Sequence, residues 1–153
     1  MSKLKLTATA FCMFAGFTVG FSSPPAALAH KGAMGIVKEW MDNFEASENA
    51  TKRIKQALSR GETAVVTAEA EFLVSWAREM KSYFPENSNQ TPSEARDEIW
   101  LKWDGFVGAI QSFENASKSL MDAAASEDPR ATRGAFEEMT KSCRSCHQQF
   151  RED

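Results

Sequence analysis

The sequence predicts an all-α protein, an antiparallel up-down bundle of four helices. Three observations lead there. Four stretches carry apolar residues at helical spacing, and none shows the sustained alternation of a strand. The links between them are short, which favours antiparallel neighbours. Several of the boundaries also carry helix stop or start residues.

The first helix runs from about Lys31 to Arg60, with Ile36, Val37, Trp40, Met41 and Phe44 early and Ile54, Ala57 and Leu58 late. Its middle, from Glu45 to Arg53, is nearly all polar, with only Ala46 and Ala50 to face inward. Gly61 is a natural C-terminal stop. The second helix starts near Thr63, carries Val65, Val66, Phe72, Leu73, Trp76, Met80 and Phe84, and ends at Pro85. A polar, turn-like loop from Pro85 to Gln90 follows. Thr91-Pro92-Ser93-Glu94 then reads as a capping box with proline at the first helical position, opening the third helix. That helix carries Ile99, Trp100, Trp103, Phe106, Val107, Ile110, Phe113, Leu120 and Met121. Asp128-Pro129 is a second cap-and-proline start, and the fourth helix places Ala135, Phe136, Met139, Cys143, Cys146 and Phe150 on one side.

The N-terminus has a different character. Lys3 and Lys5 precede a mostly apolar run from Leu6 to Phe21, and Ala27-Leu28-Ala29 is a small-x-small cleavage site before His30. Residues 1–29 therefore read as a secretory signal peptide and 30–153 as one helical domain. A membrane anchor fits less well, because threonines dilute a short apolar core that Pro24-Pro25 ends. Removing residues 1–29 from 153 leaves 124, enough for one core. It also discards Cys12 and two lysines, which takes the formal net charge from −3 to −5. No basic stripe is present, so neither nucleic acid nor an anionic membrane surface is an expected partner.

The chemistry lies at the other end, in Cys143-Arg144-Ser145-Cys146-His147. Cys-x-x-Cys-His is the attachment sequence of c-type haem. Thiols three positions apart share one side of a helix and can both reach the vinyl edge of a porphyrin. The adjacent His147 is then beside the ring as an axial iron ligand. A redox dithiol would sit at a helix N-terminus, where the dipole lowers its pKa, whereas this pair sits at the far end of the last helix. Zinc needs four ligands, and His30 is the one other histidine, more than a hundred residues away in sequence. No Ser/His/Asp arrangement, paired carboxylate site or phosphate loop appears, so an enzyme is not expected. In an antiparallel bundle the end of the fourth helix lies beside the start of the first. The haem is therefore expected near one end, facing the stretch from Val37 to Phe44.

Beyond these residues the chain resembles the class II c-type cytochromes, the cytochrome c-prime family and its six-coordinate methionine-ligated relatives. The likeness rests on the C-terminal motif followed by Phe150-Arg151, on Ile99-Trp100 with Phe106 and Phe113, and on Phe84-Pro85. It extends over essentially the whole chain after the leader. The resemblance implies an up-down bundle, one haem c per chain, a bacterial periplasmic location, redox protein partners and a candidate homodimer. In the family's first helix an arginine commonly sits four residues before the residue over the distal face of the iron. Trp40 and Phe44 fall at those positions. The resemblance thus implies haem-pocket roles for Phe44, Trp100 and Arg151, with Met41 the nearest candidate sixth ligand. Two functions follow: an electron carrier, or a five-coordinate protein binding a diatomic gas such as nitric oxide or carbon monoxide.

Overall fold

The structure is a computed structural model that describes residues 32–152. The proposed leader and His30 lie outside the described residues. Helix α1 spans Gly35–Arg60, α2 Thr63–Met80, α3 Glu98–Leu101, α4 Trp103–Ala125 and α5 Pro129–Phe150, with a 3-10 turn, Lys81–Tyr83, after α2. The four long helices, α1, α2, α4 and α5, form the bundle. Contacts at both ends of the α1/α2 and α4/α5 pairs show their antiparallel sense. Phe44 meets Trp76 while Arg53 pairs with Glu69 across α1 and α2. Phe106 meets Phe150 while the Thr132 hydroxyl reaches the Ala123 carbonyl across α4 and α5.

The helix ends follow local chemistry. Gly61 takes the left-handed conformation, φ 71°, and its N–H returns to the Ala57 carbonyl. Only a residue without Cβ adopts that geometry at little cost. The Asp128 side chain accepts from the backbone N–H groups of Arg130 and Ala131 at 2.8 and 3.2 Å, with Pro129 at the first helical position. Those bonds satisfy donors that the helix itself leaves open.

The expected start of the third helix moves. Residues 91–92 form a turn and 93–94 have no regular structure, so no helix opens there, and α3 begins only at Glu98. The reason is long-range pairing. Arg96 N–H donates to the Phe150 carbonyl at 3.0 Å, Glu152 N–H to the Glu94 carbonyl at 2.8 Å, and Ala95 bridges Arg151. Backbone engaged by the end of α5 is not free to wind into a helix. A non-helical Lys102, φ −127° and ψ 47°, then separates α3 from α4.

Away from the cavity the bundle has a conventional core, in which Ala50, Ile54, Leu120 and Met139 have no exposed surface. The cavity end is aromatic. Trp40, Phe84, Phe106 and Phe150 form a chain of rings with centroids 5.0, 4.9 and 5.4 Å apart. There α1 and α5 touch only sparsely, and the space between them is a cavity. Among the described residues no helix is long and apolar enough to cross a membrane.

Candidate haem site

Helix α5 carries Cys143, Cys146 and His147 into its last two turns, and all three line a cavity of about 680 Å³. That volume lies within the ordinary range for small-molecule and cofactor sites, about 300–1,000 Å³. Both thiols are half-buried and free. The Cys143 Sγ lies 3.9 Å from Met139 Sδ, so that thiol is aimed at the bundle interior. Burial raises the Cys143 pKa and pushes that of Cys146 up to about 11. Both are therefore protonated near neutral pH, unlike the activated thiolate of a redox dithiol. His147 keeps part of its surface open to solvent. Desolvation lowers its pKa, Arg151 lowers it further, and Glu94 opposes them. The neutral imidazole, the form that coordinates a metal, is favoured.

The facing wall comes from α1 and α2. Phe44 stands edge-on to His147, with ring centroids 6.3 Å apart. It is also edge-on to Trp40 at 5.9 Å, Trp76 at 5.6 Å and Phe84 at 6.4 Å. Met41 is half-buried and lines the same cavity. Arg151 lines it too, held by Glu94 at 2.6 Å. Trp100 is placed elsewhere: it is not among the lining residues, and its indole N–H is turned to the Phe84 and Pro85 carbonyls at 3.3 and 3.0 Å. It therefore fastens the loop after α2 rather than facing the cavity.

The sequence pattern marks Trp76 and Met80 only as ordinary core and Pro92 and Glu94 only as part of a helix start, yet all four line the cavity, as does Ala95. The helical stripe of α2 contained the first two. Nothing local marks Pro92, Glu94 and Ala95 as cavity wall, because the end of α5 holds them there.

The residues fit a covalently held porphyrin. Two interior-facing thiols and a neutral imidazole occupy one short stretch of helix, beside an aromatic cavity bounded by the opposite helices. The buried indole N–H groups of Trp40 and Trp76 also have no partner within the protein. A zinc site lacks its ligand set: among the described residues no group of three or more His, Cys, Asp or Glu side chains is arranged to hold an ion.

Comparison with known proteins agrees with this geometry. The family described as Cytochrome C' matches residues 35–151. Cytochrome c-554 of Cereibacter sphaeroides is 38% identical over 60 residues, a match that covers 39% of this chain and 39% of that relative. The fold resembles cytochrome c' from Thermochromatium tepidum, with a TM-score of 0.70 at 21% identity, over 77% of this chain and 95% of the other. It also resembles a ferrous variant of cytochrome c prime from Alcaligenes xylosoxidans with bound NO, with a TM-score of 0.68 at 23% identity, over 77% of this chain and 94% of the other. With a family match across every long helix of the bundle, the chain belongs to the cytochrome c' family of c-type haem proteins.

Proposed function

We propose that this protein is a periplasmic electron carrier whose single haem is held by thioether bonds to Cys143 and Cys146, with His147 as the axial ligand to iron. One observation carries the reading. The two thiols and the imidazole line the same aromatic cavity from adjacent turns of α5. When bound, the haem supplies a one-electron ferric/ferrous couple.

The chain's own residues bind, orient and shield. The rigid end of α5 fixes the spacing of the thiols and the imidazole. Phe44, Trp76, Phe84 and Phe106 exclude water from the interior side. Glu94 and Arg151, tied by an ion pair and by the backbone pairing around Ala95, hold the segment beside His147 in place. Residues 1–29 direct export, and cleavage after Ala29 leaves His30 as the mature N-terminus. The domain after it, residues 30–153, has a formal charge of −5, which suits encounter with basic patches on redox partners.

Extraction with acidified acetone tests the attachment. Haem that stays with the protein, and is lost when Cys143 and Cys146 are both changed to alanine, supports it. Haem extracted from correctly matured wild-type protein overturns it. Mass spectrometry of exported protein that still carried Lys3 and Lys5 would refute the export reading.

A second reading, binding of a diatomic gas, is favoured by Phe44. The side chain facing His147 across the cavity is one that cannot ligate iron. That arrangement suits five-coordinate iron with an open position on the Phe44 side.

A further inference from the structure

Four large apolar side chains among the described residues are exposed, and two of them, Leu101 and Trp103, flank Lys102 where α3 meets α4. Leu101 is 79% exposed and Trp103 37%. Single exposed apolar residues are ordinary, but two this close form a patch. The wall behind the patch is thin. Ile99, on the inner side of α3, is buried and lines the cavity, whereas Leu101, two positions on, faces solvent. Residues two apart on a helix do not share a side. The Trp103 ring stands 5.6 Å from that of Phe106, which also lines the cavity. One turn before Leu101, on the outer side of α3, is Glu98, and beside it opens a polar hollow. Glu94, Asp97, Glu98 and Glu152 line that hollow with a single cation, Arg96. Carboxylates still outnumber cations when Arg151, bonded to Glu94, is counted. Lys102 brings one positive charge to the patch, and Asp104, in the first turn of α4, offsets it. The apolar pair therefore sits beside an acidic rim.

We infer that the junction of α3 and α4 is the face on which this protein docks a basic redox partner. Leu101 and Trp103 form its apolar centre, and the carboxylates around the hollow form its rim. The inference rests on the electron-carrier reading above and gives that reading a surface and a partner chemistry. An apolar centre within a polar rim is the usual anatomy of a protein interface. Rim carboxylates steer a partner of opposite charge and fix its orientation. The place also suits transfer. A partner seated on Leu101 and Trp103 is separated from the cavity by the single turn of α3 on one path and by the Phe106 ring on the other. In the encounter one electron leaves ferrous iron in this protein for ferric iron in the partner; no bond forms or breaks, and no proton has to move. The competing surface is the outer face of α5. It carries Arg130, Arg133, Lys141 and Arg144, all exposed, but no large exposed apolar side chain. It offers charge without an apolar centre.

Stopped-flow oxidation of the ferrous, haem-loaded protein by a basic cytochrome c of higher reduction potential tests the proposal. The second-order rate constant is expected to fall as salt rises, as it does for oppositely charged partners. Leu101→Lys puts a cation at the apolar centre and should slow the reaction about tenfold at low salt. The side chain is exposed, so the variant should fold and keep the wild-type spectrum. Glu71→Gln makes the same one-unit change of charge at an exposed position on α2 and should slow the reaction by less than about twofold. In wild-type protein labelled with 15N-tryptophan, the Trp103 indole resonance should move when the basic cytochrome is added. Equal slowing in the two variants assigns the effect to net charge alone and overturns the proposal. A rate that Leu101→Lys leaves unchanged overturns it as well. So does a rate that rises with salt, which points instead to an acidic partner and the α5 face, and so does a failure to pass electrons to the probe at any salt. A protein without a covalent Soret chromophore instead refutes the haem reading beneath the proposal.

Discussion

Phe44→Met tests the distal assignment by placing a thioether where the structure has a ring. Phe44 makes edge-on contacts with Trp40 at 5.9 Å, Trp76 at 5.6 Å and Phe84 at 6.4 Å. Such aromatic pairs contribute about 0.5–1.5 kcal/mol each beyond area burial. Methionine keeps most of the apolar volume, and its sulfur recovers roughly 0.3–1.5 kcal/mol per aromatic contact. The net cost is therefore about 1–2 kcal/mol, which lowers Tm by roughly 3–10 °C in a domain of this size. The variant should remain folded, so its spectrum can be read. The expected result is a ferric spectrum that passes from high-spin to low-spin as the thioether fills the sixth position. Methionine ligation should also raise the reduction potential. A folded, haem-loaded variant that stays high-spin would show that position 44 does not face the iron. A wild-type ferric spectrum already low-spin would refute the premise of an open position.

Met41→Ala is expected to leave the ferric spectrum nearly unchanged; a low-spin wild type that turns high-spin in this variant would instead make Met41 the sixth ligand. Asp128→Ala removes the acceptor for the Arg130 and Ala131 N–H groups and should cost about 1 kcal/mol in a denaturant titration, with the haem spectrum unaltered. Glu114 has a lowered pKa, chiefly from its bond to Lys118 and then from Arg78. Its contribution to stability is therefore present above the unfolded carboxylate range and lost as pH falls through the lowered value. Melting curves of Glu114→Gln and wild type should converge on the acid side; a gap that persists at low pH contradicts the assignment.

Much of this fold was legible because its determinants are local. Gly61 and Asp128-Pro129 act on neighbouring backbone groups, and both boundaries fall where those residues stand. Thr91-Pro92-Ser93-Glu94 has an equally good local signature, yet it opens no helix. The tie to Phe150 and Glu152 takes the backbone that the helix needs, and pairing across more than fifty residues leaves no mark on a local pattern. The tryptophans divide in the same way. Their helical spacing marks all of them as apolar, but whether an indole N–H meets a carbonyl, as in Trp100, or nothing, as in Trp40 and Trp76, is decided only by packing.

The same distinction explains the two sides of the haem site. Cys143, Cys146 and His147 lie within five residues of one helix, so spacing alone sets their relation. The opposing wall is assembled from α1, α2 and the turn after it, so its register exists only once the helices pack. The polar run from Glu45 to Arg53 shows what this means for reading a sequence. Set against a bundle whose helices touch along their whole length, the run looks like a failure of the apolar stripe. The helix nevertheless continues unbroken, with Ala50 fully buried against the core. Ser47, Glu48, Thr51 and Lys52 line the cavity instead of a neighbouring helix. A weak stripe in an otherwise well-formed helix is what a cofactor site requires, because the face that would meet α5 meets the cavity.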